Sequence, residues 1–109
     1  MAYDEGLVQL LRDDLATAGP LEEKRMFGGL CFMLDGHMLC GVSAQGAMFR
    51  VGKEREAEAL SLEGVTEMAF TGRRMGGFVD ADAGAMADDT RRARLLALAR
   101  ENVRSLPPR

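Results

Sequence analysis

A chain of 109 residues with a 47% apolar fraction and a formal net charge of −3 has room for one core and no second domain, and it is too apolar for disorder. Its pI near 5.1 is far from the basic balance of an autonomous DNA binder, and no run approaches the ~18 consecutive apolar residues of a transmembrane helix. The start, M-A-Y-D-E-G, is acidic and passes at once into an amphipathic pattern, unlike a signal peptide, so a cytoplasmic protein is expected.

The charge is unevenly spread. Residues 1–70 carry 6 Lys+Arg against 12 Asp+Glu, whereas residues 71–109 carry 8 against 5. The C-terminal third is therefore a basic patch on an acidic chain, suited to an acidic partner or to nucleic acid, although the overall acidic balance is unlike that of an autonomous DNA binder. Eight methionines with no tryptophan and one tyrosine point to an irregular core, because the unbranched thioether fills gaps that stiffer side chains cannot.

In chain order, residues 4–18 read as a helix. Leu7, Val8, Leu11 and Leu15 recur at helical spacing, Asp4 is the expected N-cap, Tyr3 is placed to staple onto Val8, and Gly19-Pro20 ends the pattern. Glu22, Glu23, Lys24 and Arg25 read as a solvated lead into a sheet. Three apolar runs follow, at 26–34, 38–42 and 47–51, divided by Asp35-Gly36 and by a turn near Gln45-Gly46. They predict an antiparallel meander, and Asp-Gly is the strong signal, because a type I′ turn needs positive φ at both central positions.

Counting outward from that turn sets Leu34 against His37, Met33 against Met38, Phe32 against Leu39 and Cys31 against Cys40. One face then holds Cys31, Met33, Met38, Cys40, Val42, Phe49 and Val51, and is expected to meet the helices. The other holds Leu30, Phe32, Leu34, His37, Leu39, Met48 and Arg50. Its apolar members Phe32, Leu34, Leu39 and Met48, with His37 among them, make it the candidate interface for a partner or a second copy of the chain. Cys31 and Cys40 fall at a non-hydrogen-bonded pair, where Cα atoms approach to about 4.5 Å and a disulfide is conceivable. A cytoplasmic setting favours two reduced, buried thiols over a redox pair. Gly28-Gly29 marks a bulge or a close backbone approach.

Residues 53–61 predict a short charged helix with Ala57 and Leu60 turned inward, and residues 65–70 a strand. Residues 71–77 read as a loop, residues 78–80 as the partner strand, and residues 82–89 as the lead into a final helix. In that helix Leu95, Leu96, Leu98, Ala99 and Val103 face inward and Arg94, Arg100 and Arg104 outward, and Leu106-Pro107-Pro108 stops it. The order is helix, three-stranded antiparallel meander, helix, two strands, helix. This is a two-layer α+β domain spanning 1–109.

Few residues carry recognisable chemistry. His37 is the single histidine and reads as a solvent-tipped strand residue. The cysteines lack C-x-x-C spacing, so no metal site is expected. Gly28-Gly29 lacks the context of a nucleotide loop. No catalytic group and no cofactor is expected. Gly72-Arg73-Arg74 is the most suggestive polar feature, since glycines expose backbone N–H groups and arginines grip anions. With Arg25 and Arg50 it forms the candidate set for partner or anion binding.

The segments R-M-F-G-G-L-C-F-M-L-D-G-H-M at 25–38, F-R-V-G at 49–52, F-T-G-R-R-M at 70–75 and S-L-P-P at 105–108 together resemble the TfoX/Sxy N-terminal-domain family, over nearly the whole chain. The resemblance implies a two-layer α+β fold and kinship to bacterial regulators of natural competence, which resemble coactivators working with the cyclic AMP receptor protein at promoters. Those regulators carry a second, helix-hairpin-helix-like domain, so this chain reads as a stand-alone member. The family attaches no catalytic residues. The expected function is a non-enzymatic regulatory or protein-interaction module, with a protein partner such as transcription machinery, a homodimer as a further expectation, and no direct nucleic-acid binding. The alternative is a sensor domain for a small molecule or anion.

Overall fold

Asp35 takes φ 54° and Gly36 φ 81°, the paired positive values of the type I′ turn expected there, and the sheet grows outward from this hairpin. The computed structural model describes residues 3–26, 28–70 and 72–107. Phe27, Thr71 and Pro108, within three of the motif segments, lie outside the described residues. Six strands form one antiparallel sheet: β1 (Leu21–Met26), β2 (Gly29–Leu34), β3 (His37–Ser43), β4 (Gly46–Arg50), β5 (Val65–Phe70) and β6 (Arg73–Ala81), in the spatial order β1-β2-β3-β4-β6-β5. The helices are α1 (Glu5–Asp14), α2 (Glu56–Leu60), entered through a 3-10 turn at Lys53–Arg55, α3 (Ala83–Ala87) and α4 (Asp89–Arg104). The α+β class is as expected, but the element order is richer than the sequence reading.

Two strands had read as something else. The lead at 22–25 is β1, which pairs with β2 from Leu21↔Leu34 to Met26↔Gly29. Its charged residues are exposed on both sides, as suits a sheet edge that must not recruit another strand. The expected loop at 71–77 is largely β6, which pairs with β5 from Arg73 onward. α3 is a separate short helix, capped by Asp82, whose Oδ1 accepts from the Ala85 N–H at 2.9 Å. α1 is shorter than expected, ending at Asp14, with Asp4 capping the Gly6 N–H at 2.7 Å.

The main correction is one residue of register. β2 and β3 pair as Leu34↔His37 and Met33↔Met38, as counted, but then as Phe32↔Cys40 and Cys31↔Gly41. Leu39 is the extra residue of a β-bulge, and beyond it every β2 partner is displaced by one. Because side chains alternate with period two, the displacement carries Phe32 to the face that Cys40 and Val42 occupy and turns Cys31 to the opposite face.

All four helices cover that first face. Val8 and Leu11 of α1, Ala59 of α2, Ala85 and Met86 of α3, and Leu95, Leu98 and Ala99 of α4 join Phe32, Leu39, Cys40, Val42, Phe49, Val51 and Val79 in a single core. The opposite face carries a second cluster of Cys31, Met33, Met38, Met48 and Met68, bordered by Met26, Met75 and Phe78. None of its five buried members is more than 8% exposed. Close backbone packing supports the arrangement at Gly29, where a Cβ would stand 1.9 Å from the Val42 carbonyl oxygen.

Candidate functional site

The residues proposed for an open sheet face do not lie on one. Phe32, Leu34 and Leu39 pack in the helix-side core, and only Met48 is on the opposite face, where it is buried in the methionine cluster. The expectation of a homodimer rested on an exposed face, and burial within one chain removes that ground. Cys31 and Cys40 are corrected with them. They sit on opposite sides of the sheet as free thiols, so no disulfide can join them without unpairing strands. Burial pushes the Cys31 thiol up to about 11 and the Cys40 thiol higher still, so neither is a thiolate nucleophile near neutrality.

His37 is not solvent-tipped. It is 7% exposed, and its Nε2 lies 2.6 Å from the Pro107 carbonyl oxygen. That oxygen only accepts, so Nε2 carries the proton and donates. The side chain ties the segment after α4 back to the β2–β3 hairpin, while its Nδ1 is buried without a partner among the described residues.

The arginines divide into committed and uncommitted groups. Arg74, central to the expected anion loop, pairs with Glu56 and, at 3.1 Å, with Glu67. Glu56 also accepts the Gly77 N–H at 3.2 Å, so this carboxylate ties α2 to β6 and leaves Arg74 neutralised. Gly72 is exposed with open space around its Cα, and Arg73 beside it is exposed. The Gly72-Arg73-Arg74 segment is thus a hairpin end and ladder strand rather than a cradle of free N–H groups. Arg25 is exposed on the β1 edge. On α4, Arg91 bonds Asp88 and the Glu63 carbonyl, and Arg94 bonds Glu58. Arg92 is buried, with Asp14 at 2.5 Å, Asp89 at 2.8 Å and the Met86 carbonyl at 2.7 Å. It locks α1 to α4, a role that its place in an arginine-rich stretch does not reveal. Arg100 and Arg104, one turn apart further along α4, make no ion pair among the described residues.

A group of polar and charged side chains gathers around open space at the end of the sheet marked by the Asp35-Gly36 turn and the last turn of α4. A cavity of about 430 Å³ is lined by Arg50, Lys53, Phe78, Asn102, Ser105 and Leu106, with Gly52, Gly76 and Gly77 as backbone wall and Glu54 among its lining residues. The chain is folded tightly here. Val51 and Gly52 both donate to the Gly77 carbonyl, at 2.9 and 3.0 Å. Gly52 takes φ 86°, and a Cβ there would stand 2.5 Å from Asn102 Oδ1, so no other residue fits. Arg50 lies over the Phe78 ring, 5.7 Å from its centroid. Asn102 is 6% exposed, and its Nδ2 is buried without a partner among the described residues.

Of the predicted candidates only Arg50 reaches this cavity. Lys53, Phe78 and Asn102 were missed. Asn102 did leave a signal, since it falls on the stripe set by Leu95, Leu98 and Ala99, where an amide is out of place.

Among the described residues no three His, Cys, Asp or Glu side chains are placed to hold a metal ion, and no helix is long and apolar enough to cross a membrane. No curated protein and no solved structure matches the chain. The family model described as the TfoX N-terminal domain matches residues 13–103, a span that contains every strand of the sheet and most of α4. On that match, and with the α+β sheet-and-helix layer it covers, the chain belongs to the TfoX N-terminal domain family.

Proposed function

We propose that this domain is a non-enzymatic regulatory module that docks an acidic protein surface through the C-terminal half of α4, where Arg104 is exposed and Arg100 half-buried. The observation that carries the reading is the sorting of the α4 arginines. Arg91, Arg92 and Arg94 are consumed by internal carboxylates, whereas Arg100 and Arg104 keep their charge unpaired among the described residues. Two uncommitted arginines on successive turns of a rigid helix present bidentate donors at a fixed spacing, the chemistry that recognises carboxylates. Family membership supports a regulatory, competence-related role and brings transcription machinery forward as the class of partner. The groups most suited to catalysis are otherwise engaged: His37 holds the C-terminal segment, and both thiols are buried and protonated.

The test is affinity capture from lysate with the wild-type domain and with an Arg100→Glu/Arg104→Glu variant whose melting temperature is first shown to be unchanged. Capture of an acidic protein that the variant loses, and that weakens as salt shortens the Debye length below about 8 Å, is the expected result. Capture indifferent to the charge reversal overturns the reading. So does a salt-dependent mobility shift with DNA at physiological ionic strength, which places the partner class elsewhere.

A further inference from the structure

The cavity at the end of the sheet has no part in that docking surface. We infer that it is a binding site for a small organic oxyanion, a carboxylate or phosphate monoester carried on a planar apolar body. Three observations converge on it. The first is charge: Arg50 and Lys53 both line the space, and neither makes an ion pair among the described residues. Arg50 lies over the Phe78 ring, 5.7 Å from its centroid, and a guanidinium in that place offers N–H donors for bidentate contact with an oxyanion. The Lys53 stem runs beside Gly76, where a Cβ would come within 3.1 Å of Lys53 Cε, so the glycine makes room for the ammonium on the same wall.

The second observation is Asn102. A buried amide with an unpartnered N–H is rare, because leaving one unsatisfied is destabilising. Asn102 lines the cavity at 6% exposure with Nδ2 unpaired. The other polar side chain at this wall, Ser105, is already occupied, its Oγ donating to the Asn102 carbonyl at 2.7 Å. Asn102 thus sets an unsatisfied amide in the wall of the cavity, where its side-chain signal reports on a molecule bound beside it.

The third is size and polarity. A volume of about 430 Å³ lies within the ~300–1,000 Å³ of small-molecule sites, and Phe78 and Leu106 offer apolar surface to a ring. Glu54 also lines the cavity, with its carboxylate largely exposed and 3.7 Å from Arg55. One acid against two cations suits a single oxyanion head and disfavours a polyphosphate.

Phenyl phosphate and benzoate serve as probes, with inorganic phosphate and ATP as controls, read by amide NMR on the full chain. Phenyl phosphate or benzoate is expected to shift the signals of Gly52, Lys53, Gly77 and the Asn102 side-chain amide more than inorganic phosphate or ATP does, and the more effective probe identifies the head group. Arg50→Gln, a partly exposed position that does not endanger the fold, is expected to weaken binding about tenfold or more, as loss of a charged hydrogen bond predicts. Lys53→Gln is expected to act in the same direction. Arg100→Glu/Arg104→Glu should bind the probes unchanged, which separates this site from the docking surface. The inference is overturned if neither probe shifts those signals at millimolar concentration, or if Arg50→Gln and Lys53→Gln bind as the wild type does.

Discussion

Met48 and Phe49 are consecutive residues of β4, 1% and 0% exposed, yet they belong to different cores. Phe49 points into a layer roofed by four helices and built mostly from Leu, Val, Phe and Ala side chains, with Met86 its single buried methionine and Cys40 its single cysteine. Met48 points into a cluster that no described helix residue enters, built from methionines and one cysteine. The difference follows from what each face has to fit. Helices present ridges that branched side chains fill at defined rotamers. The opposite face gathers side chains from successive strands of a bulged sheet, an irregular space that flexible thioethers fill better. Uncommitted charge lies on neither face but at the end of the sheet, at Arg50 and Lys53, and along α4, at Arg100 and Arg104.

Truncating each residue sharpens the comparison. Phe49→Ala should destabilise by about 3–5 kcal/mol, the range for an aromatic lost from a packed core. Met48→Ala should follow at about 2–4 kcal/mol, and Met48→Leu at less than about 1.5 kcal/mol, because volume is conserved. Denaturant melts measure all three. A near-neutral Met48→Ala would mean that the methionine face is not a core.

Glu56 tests the join between α2 and β6. Glu56→Ala removes the acceptor of the buried Gly77 N–H and one partner of Arg74, and should cost about 1–3 kcal/mol. Glu56→Gln, which keeps an acceptor oxygen, should recover part of that loss in the same melts.

The sheet's chemistry was legible where a turn or cap dictates it and illegible where one residue changes the count. Asp35-Gly36 announced its hairpin, and Asp4 and the α4 stripe announced their helices. The Leu39 bulge had no compositional mark, yet it exchanged the faces of Phe32 and Cys31 and undid the interface drawn from alternation. β1 was hidden because an edge strand exposed on both sides, Glu-Glu-Lys-Arg, looks like a loop. β6 was hidden by Gly76-Gly77. Arg92 could not be read as a core residue because its partner Asp14 is 78 positions away. The cavity escaped for the same reason: Arg50, Lys53, Phe78 and Asn102 come from separate elements, and only the misplaced amide hinted at it.

Smaller effects come from titratable groups on the methionine side. Asp80 pairs with Met48 and Thr66 across the sheet, and desolvation holds its carboxyl above the ordinary range. A raised folded value means that the folded state binds more protons in that window, so this group's contribution to stability falls as pH rises from about 3.9 through the folded value. Asp80→Asn should therefore melt higher than wild type at neutral pH, with the difference vanishing toward pH ~3. A difference that does not depend on pH would contradict the assignment. The thiols should show almost no effect on the native protein. With Cys31 at about 11 and both side chains buried, neither should alkylate until denaturant is added, and mass spectrometry of the oxidised native protein should find no Cys31–Cys40 bridge.

The most direct measurement of the two-core arrangement is carbon-13 methyl NMR of the methionines in the presence of a soluble nitroxide, at a concentration where sedimentation shows a monomer. The ε-methyls of Met38, Met48 and Met68 should be shielded to the same degree as that of Met86 in the helix-side core, with Met26 and Met75 broadened more. Broadening of Met38, Met48 and Met68 by the nitroxide in the monomer would contradict the arrangement and restore the sheet face as an open docking surface.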